Sequence, residues 1–184
     1  MTAMDFFARW RVRIGYLLAL VVLWFARPNP QSILIGGVIG AIGLMIRAYA
    51  AGYLQKQSVL TVAGPYARTR NPLYFGSSIM TLGAAVAMFS WISAGILLIY
   101  FAVVYTFVMR REELELRQQH GSAFDAYAQS VPLFLPRVSN TLLSTAEVGS
   151  FSWAQYKKNH EHQAAFGFLL LLLLLVIVWR MHTA

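Results

Sequence analysis

The sequence predicts an all-α integral membrane protein of about five transmembrane helices, with its polar residues gathered at helix ends. Three observations carry this expectation. Of 184 residues, 58% are hydrophobic and 12% charged, whereas an ordinary soluble domain is about 25% charged. The apolar residues are clustered rather than spread along the chain, as spanning a bilayer requires. The 39 residues of 71–109 carry no charge at all. As helix they would measure about 58 Å at 1.5 Å per residue, enough for two crossings of roughly 30 Å.

Taken in order, residues 1–13 read as a polar-aromatic lead that sets Phe6, Phe7 and Trp10 at headgroup level. Helix one is expected over 12–26. That is short for a span of roughly 20 residues, with Trp10 and Trp24 extending its reach. It is kept as a helix rather than a signal-peptide core, because Phe25-Ala-Arg-Pro-Asn-Pro offers no small-x-small cleavage site. Pro28 and Pro30 end it by removing donors and restricting the residues before them. Helix two is expected over 31–54, with Gly36, Gly40 and Gly43 forming a small-residue face for close helix approach. Arg47 lies within it and has two readings, a functional intramembrane cation or a side chain snorkelling to the interface.

Residues 55–70 read as a polar loop. Residues 72–109 read as a hairpin turning near Phe89-Ser90-Trp91, with Pro72 in the first turn of helix three, where its missing N–H is tolerated. Residues 110–129 are helix-prone, with Leu116, Phe124 and Tyr127 on an apolar side and Gly121 interrupting. Residues 131–137 are bounded by prolines and too short to span, so they are expected along the surface. A connector over 138–163 includes the interfacial residues Trp153, Tyr156, Lys157 and Lys158, and a fifth helix follows over 164–180. The whole chain reads as one membrane domain, with a helix pair over 12–54 and a core over 55–137.

A net charge of +8 would point to nucleic acid in a soluble protein. Here the basic residues sit between apolar segments, so topology explains them better and no nucleic-acid partner is expected. In a five-helix arrangement twelve Lys and Arg fall on one side, and only Arg27 and Arg180 on the other. The positive-inside rule makes the first side cytoplasmic. The N-terminus and the polar knots are therefore expected to face the cytoplasm, in a bacterial inner membrane. The absence of cysteine excludes a disulfide, a thiolate nucleophile and thiolate metal ligands.

Two polar knots stand out. Residues 64–76 read Gly-Pro-Tyr-Ala-Arg-Thr-Arg-Asn-Pro-Leu-Tyr-Phe-Gly, and Arg110-Arg111-Glu112-Glu113 closes the charge-free run. In the first, Gly64-Pro65 sets a turn, Tyr66 and Tyr74 flank Arg68 and Arg70, and Pro72 starts a helix with free N–H groups. Alone it reads as a positively charged interfacial loop. The second knot puts Glu112, Glu113 and Glu115 where Lys and Arg are usual, either paired locally or facing an ammonium or other cation. Tyrosine faces serve a cation equally well, so a ligand with an amino-acid head and a positive centre would suit both knots. His160-x-His162 does not share a helix face and reads as a polar turn, and no metal site is expected. No phosphate-binding glycine loop or nucleophile elbow is found.

The pattern Gly64-Pro-Tyr-x-x-x-Arg70-Asn-Pro-x-Tyr74-x-Gly76, followed by Glu112-Glu113, Gly121, Tyr127 and Val131-Pro132, resembles the isoprenylcysteine carboxyl methyltransferase and phospholipid methyltransferase superfamily. The match covers residues 54–137. The resemblance implies an integral-membrane enzyme that uses S-adenosylmethionine and releases S-adenosylhomocysteine. Its pocket would lie at the cytosolic helix ends, covered by the segment after the Glu pair and open to the lipid for the acceptor. It further implies that Ser58, Val59, Leu60 and Thr61 line the cofactor, that Tyr66, Asn71, Pro72, Leu73 and Tyr74 contact it, and that Glu112 holds it. Three positions depart from the eukaryotic prenylcysteine enzymes. Asn71 and Ser58 stand where those tend to have histidine, and the arginine assigned to the prenylcysteine carboxylate falls on Val108, with Arg110 or Arg111 as substitutes.

Methyl transfer from a sulfonium rests on positioning and exclusion of water. A carboxylate acceptor needs no base, whereas an ammonium acceptor must first lose a proton. Glu113 is the expected base in that second case, with Arg111 as the second catalytic candidate. Arg70 either binds the cofactor carboxylate or braces the loop. The expected partners are the bilayer and a small amphiphilic or lipid substrate, methylated on oxygen or nitrogen. The alternatives are an NADPH-dependent membrane reductase of the sterol-reductase kind, and a non-enzymatic scaffold or transporter.

Overall fold

The computed structural model describes residues 3–55, 59–137 and 150–183, with side chains from residue 13 onward. The expected headgroup contacts of Phe6, Phe7 and Trp10, residue Ser58 and residues 138–149 of the connector lie outside the described side chains. Every long element is a helix, and among the described residues there is no strand. The helices are α1 (Ala3–Phe25), α2 (Pro30–Tyr53), α3 (Pro72–Met88), α4 (Trp91–His120), α5 (Ser122–Ser130), α6 (Trp153–Lys158) and α7 (His162–Thr183). By length and composition α2, α4 and α7 can cross a membrane, and the apolar part of α1 and all of α3 are shorter. The protein is an all-α integral membrane protein.

The expected small-residue face is the backbone of the fold. α2 packs most extensively on α3, and glycine lets the two main chains touch. A Cβ on Gly43 would stand 2.6 Å from the Gly76 carbonyl oxygen and from the Met80 nitrogen. One on Gly36 would stand 2.3 Å from the Gly83 carbonyl oxygen. Such contact is how helices associate where lipid removes the hydrophobic incentive. α1 packs chiefly on α4, and α7 packs on α2 and α3.

Caps fix the end of the bundle away from the polar knots. Asn29 and Ser32 form a reciprocal capping box at the start of α2, and the Ser32 hydroxyl also donates to the Ala87 carbonyl at 3.1 Å. The hairpin turns where expected: Phe89 is left-handed at φ +48, and Ser90 caps α4. Ser93 donates to the Val22 carbonyl at 2.8 Å, and the Arg27 N–H to the Met88 carbonyl at 2.9 Å. These bonds join the α1–α2 turn to the α3–α4 turn. Val22, Ala26, Ala87, Met88 and Leu175 form the buried core there.

Two boundaries differ from the sequence reading. α1 begins at Ala3, so the lead is helical. α4 does not stop at Met109 but runs on to His120, about 45 Å, and its last third extends beyond a roughly 30 Å hydrocarbon layer. Strong helix formers at Arg110–Arg117 keep the ladder intact, and Gly121 at φ +53 ends it. Residues 131–137 run along the surface as expected, with Leu135 exposed, and also pair with the first knot. Arg70 N–H donates to the Pro132 carbonyl at 2.9 Å and Arg137 N–H to the Arg68 carbonyl at 3.1 Å. The Thr69 hydroxyl donates to the Phe134 carbonyl at 2.9 Å.

The end of α2 nearest the knots is capped from a distance. Asn159 donates to the Ala51 and Leu54 carbonyls at 2.8 and 3.0 Å, Gln155 also donates to Leu54, and Ser152 N–H donates to Gly52 at 3.0 Å. α6 thus supplies the partners that the last α2 carbonyls otherwise lack.

Candidate active site

The two polar knots meet. Arg70 forms a close ion pair with Glu113, and Arg110 approaches the other Glu113 oxygen at 3.6 Å. The Tyr74 hydroxyl donates to Glu112 at 2.6 Å. Helical spacing places Glu112 on α4 opposite Tyr74 in the first turns of α3, so these bonds clamp the two helix ends together.

Behind the clamp lies a cavity of about 550 Å³. Val59, Leu60, Thr61, Tyr66, Arg70, Asn71, Pro72, Leu73, Tyr74, Glu112 and Glu113 all line it, so the expected cofactor residues within the described set come together with Glu113. Arg111 does not line it. Its guanidinium pairs with Glu115 at 2.9 Å along the exposed side of α4. Asn71 gives its side-chain N–H to the Leu133 carbonyl at 3.0 Å, so it also braces the 131–137 segment. α5 closes one side. Phe124, Tyr127 and Val131 are buried against Leu60, Val62 and Leu116, and fully burying Phe124 and Val131 contributes roughly 1.5–3 kcal/mol each.

The electrostatics of the cavity centre on Tyr66. Its hydroxyl is buried and, among the described residues, has no hydrogen-bond partner, as is also true of Arg70 Nε. Burial pushes the Tyr66 phenol well above its usual range, and the nearby Tyr127, Glu112 and Glu161 push the same way. Tyr66 is thus a neutral donor throughout the physiological range. Tyr127 donates to the Tyr66 carbonyl at 2.7 Å, and burial raises its phenol too.

Sequence reasoning left Arg47 open between two readings and missed its partner. Arg47 does not snorkel. Nε and Nη2 donate to the two oxygens of Glu161 at 3.0 and 2.6 Å, and Nη1 donates to the Leu73 carbonyl at 3.3 Å and closely to Ser77. Both charges are largely shielded, with side chains 18% and 9% exposed. Arg47 and Glu161 line the large cavity. Arg47 also lines a second cavity of about 350 Å³ at membrane depth, with Ser77, Met80, Thr81, Leu97, Tyr100, Phe101, Tyr105 and Ala164. Tyr105 was missed as well. It lies two helical turns before Glu112, stacks on Phe101 at 4.5 Å and meets Tyr74 edge-on at 5.3 Å. The seven-residue spacing to Glu112 was the signal that could have found it.

A family model described as phospholipid methyltransferase matches residues 10–123. The chain belongs to the phospholipid methyltransferase family. Among curated proteins, the nickel-cobalt-cadmium resistance protein NccN of Alcaligenes xylosoxydans xylosoxydans is 30% identical over 137 residues, 71% of this chain and 64% of that protein. The cobalt-zinc-cadmium resistance protein CzcN of Cupriavidus metallidurans is 28% identical over 137 residues, 71% of this chain and 63% of that protein. The family member described here thus spans less than two thirds of the length of these relatives. No solved structure matches it. Among the described residues, no group of three or more His, Cys, Asp or Glu side chains could hold a metal ion.

Proposed function

We propose that the protein is a membrane methyltransferase that uses S-adenosylmethionine and methylates the headgroup of an amphiphilic or lipid acceptor on oxygen or nitrogen. The observation that carries this is the 550 Å³ cavity in which both knots converge around an orphaned, buried Tyr66 hydroxyl. Its volume falls within the roughly 300–1,000 Å³ of small-molecule and cofactor pockets. Its donor set fits the cofactor. Glu112 presents a carboxylate to an ammonium, Tyr66 and Arg70 Nε are unused donors, and Tyr74 and Tyr105 offer ring faces to a positive centre.

When bound there, S-adenosylmethionine would supply an electrophilic methyl group on a sulfonium. The chain's part is to bind, orient and exclude water. Glu112 holds the cofactor's amino group, with Tyr74 fixing the carboxylate's direction. Tyr66 donates from the buried wall, and Val59, Leu60, Thr61, Pro72 and Leu73 shape the cradle. Arg70 and Glu113 keep α4 and the knot loop together. The membrane-depth cavity, reached past Arg47 and Tyr105, receives the acceptor. The clustering of Lys and Arg at the knot end supports a cytoplasmic active site in an inner membrane.

Calorimetric titration with S-adenosylhomocysteine tests the reading. Wild-type protein is expected to bind, and Glu112→Gln, which keeps an acceptor for Tyr74, to bind about tenfold or more weakly while remaining folded, as loss of a charged hydrogen bond implies. Equal affinity for the two proteins would remove Glu112 from its role. No binding by the wild type would remove the cofactor.

A further inference from the structure

Three observations converge on Glu161, which lies beyond the segment matched by the family model. The first is geometric. Both carboxylate oxygens are taken by Arg47 in a fork, and the side chain is buried. The second is in the backbone. The preceding residue, His160, sits at φ +56, uncommon for a residue with a Cβ. Such a conformation persists where its surroundings impose it. Here Asn159 is bonded to the end of α2, and the Glu161 carbonyl accepts from the Ala164 N–H at 3.0 Å. The third is position. Among the described residues, Arg47 and Tyr105 alone line both cavities. A buried ion pair is a poor device for stability alone, since apolar residues of similar volume commonly do as well. Its location between two cavities therefore calls for another role.

Resting on the methyltransferase reading, we propose that Glu161 is a positioning residue that turns Arg47 into a fixed, neutralised partition between the two cavities. Held against Leu73 and Ser77 by the fork, the guanidinium cannot swing into either space. A positive centre approaching Tyr105 then meets an ion pair rather than a bare cation, which removes a repulsion that low dielectric would strengthen. A ligand in one cavity meets a ligand in the other beside the Tyr105 ring. The chain beyond the family-matched segment thereby completes the site.

The absence of cysteine makes a single introduced Thr81→Cys a clean reporter of the membrane-depth cavity. In lipid nanodiscs, its labelling by an anionic, water-soluble methanethiosulfonate reagent is expected to accelerate on the order of tenfold in Glu161→Ala, as loss of a charge-assisted contact implies. Glu161→Gln keeps one acceptor for Arg47 but not the charge and should label faster than the parent and more slowly than Glu161→Ala; a Gln rate equal to the parent's would overturn the neutralising role. Glu161→Asp keeps the charge but withdraws it by one methylene. It should label roughly threefold faster and serves if the alanine variant does not fold. A Leu175→Cys control, buried in the core at the opposite end, should stay protected throughout. Equal labelling of the parent, Ala and Asp proteins would overturn the proposal, and so would parallel labelling at Leu175→Cys, which would mean general loosening. Titration of the parent with S-adenosylhomocysteine is read separately. Its failure would remove the methyltransferase reading, whereas the labelling series judges the partition.

Discussion

Replacing Tyr66 by phenylalanine should move stability and affinity in opposite directions. The Tyr66 hydroxyl is buried in the cavity wall and bonds to nothing among the described residues. Leaving a buried donor unsatisfied costs about 1–3 kcal/mol. Tyr66→Phe removes that cost without removing any protein hydrogen bond, and the ring keeps its packing. The ligand-free variant should therefore be more stable, raising its thermal midpoint by about 2–4 °C per kcal/mol for a chain of this size. The cofactor would lose a neutral hydrogen bond worth about 0.5–1.5 kcal/mol, which weakens binding roughly 2- to 12-fold. Differential scanning fluorimetry in detergent reads the first effect, and titration with S-adenosylhomocysteine reads the second. A lowered midpoint would refute the claim that the hydroxyl is unsatisfied. A raised midpoint with unchanged affinity would show that the hydroxyl does not meet the cofactor.

Tyr127→Phe makes the contrasting change. It strips the Tyr66 carbonyl of its buried partner and should destabilise by about 1–3 kcal/mol, read in the same thermal assay. Gly43→Ala drives a methyl into the α3 backbone at Gly76 and Met80 and should cost about 1–3 kcal/mol by overpacking, whereas Gly95→Ala, inside α4 with nothing within 4 Å, should stabilise by about 0.5–1 kcal/mol. Because burial raises both the Tyr66 and the Tyr127 phenols, the unfolded chain releases these protons first. Their stabilising effect is complete below the ordinary tyrosine value of about 10 and is lost as pH rises beyond it. The thermal midpoint should fall above that pH, and less steeply in a Tyr66→Phe/Tyr127→Phe double variant.

How much of this was legible in the sequence depended on range. The charge-free 71–109 stretch, the turn at Phe89, and the glycines at 36, 40 and 43 are periodic or compositional signals. Each was readable because it reports a local constraint: hydrocarbon length, helix termination and backbone approach. The convergence of the two knots was readable only through topology. What was not legible was pairing across long separations. Arg47 and Glu161 stand 114 positions apart, and nothing local distinguishes Glu161 from an exposed acid between two histidines. The pairing of residues 131–137 with the first knot was hidden for a related reason. Pro132 and Pro136 argue against a helix, but a proline-bounded segment still has carbonyls, and those are what Arg70, Thr69 and Asn71 use.

The pairing of carboxylates also bears on the proton question. Glu113 was the expected base for an ammonium acceptor, and its two oxygens face Arg70 and Arg110, contacts that hold α4 to the knot loop. Glu161 is fully committed to Arg47, and Glu112 accepts from Tyr74. His120 lines the large cavity, but it lies fifteen residues beyond Tyr105 on α4, about 22 Å along the axis, far from where the two cavities adjoin. On the proposed reading the acidic residues hold shape and charge rather than relay protons. The acceptor atom would then arrive already nucleophilic, or surrender its proton to water before it reaches Tyr105. That places the selectivity of the site in which headgroups can enter unprotonated, rather than in a dedicated base.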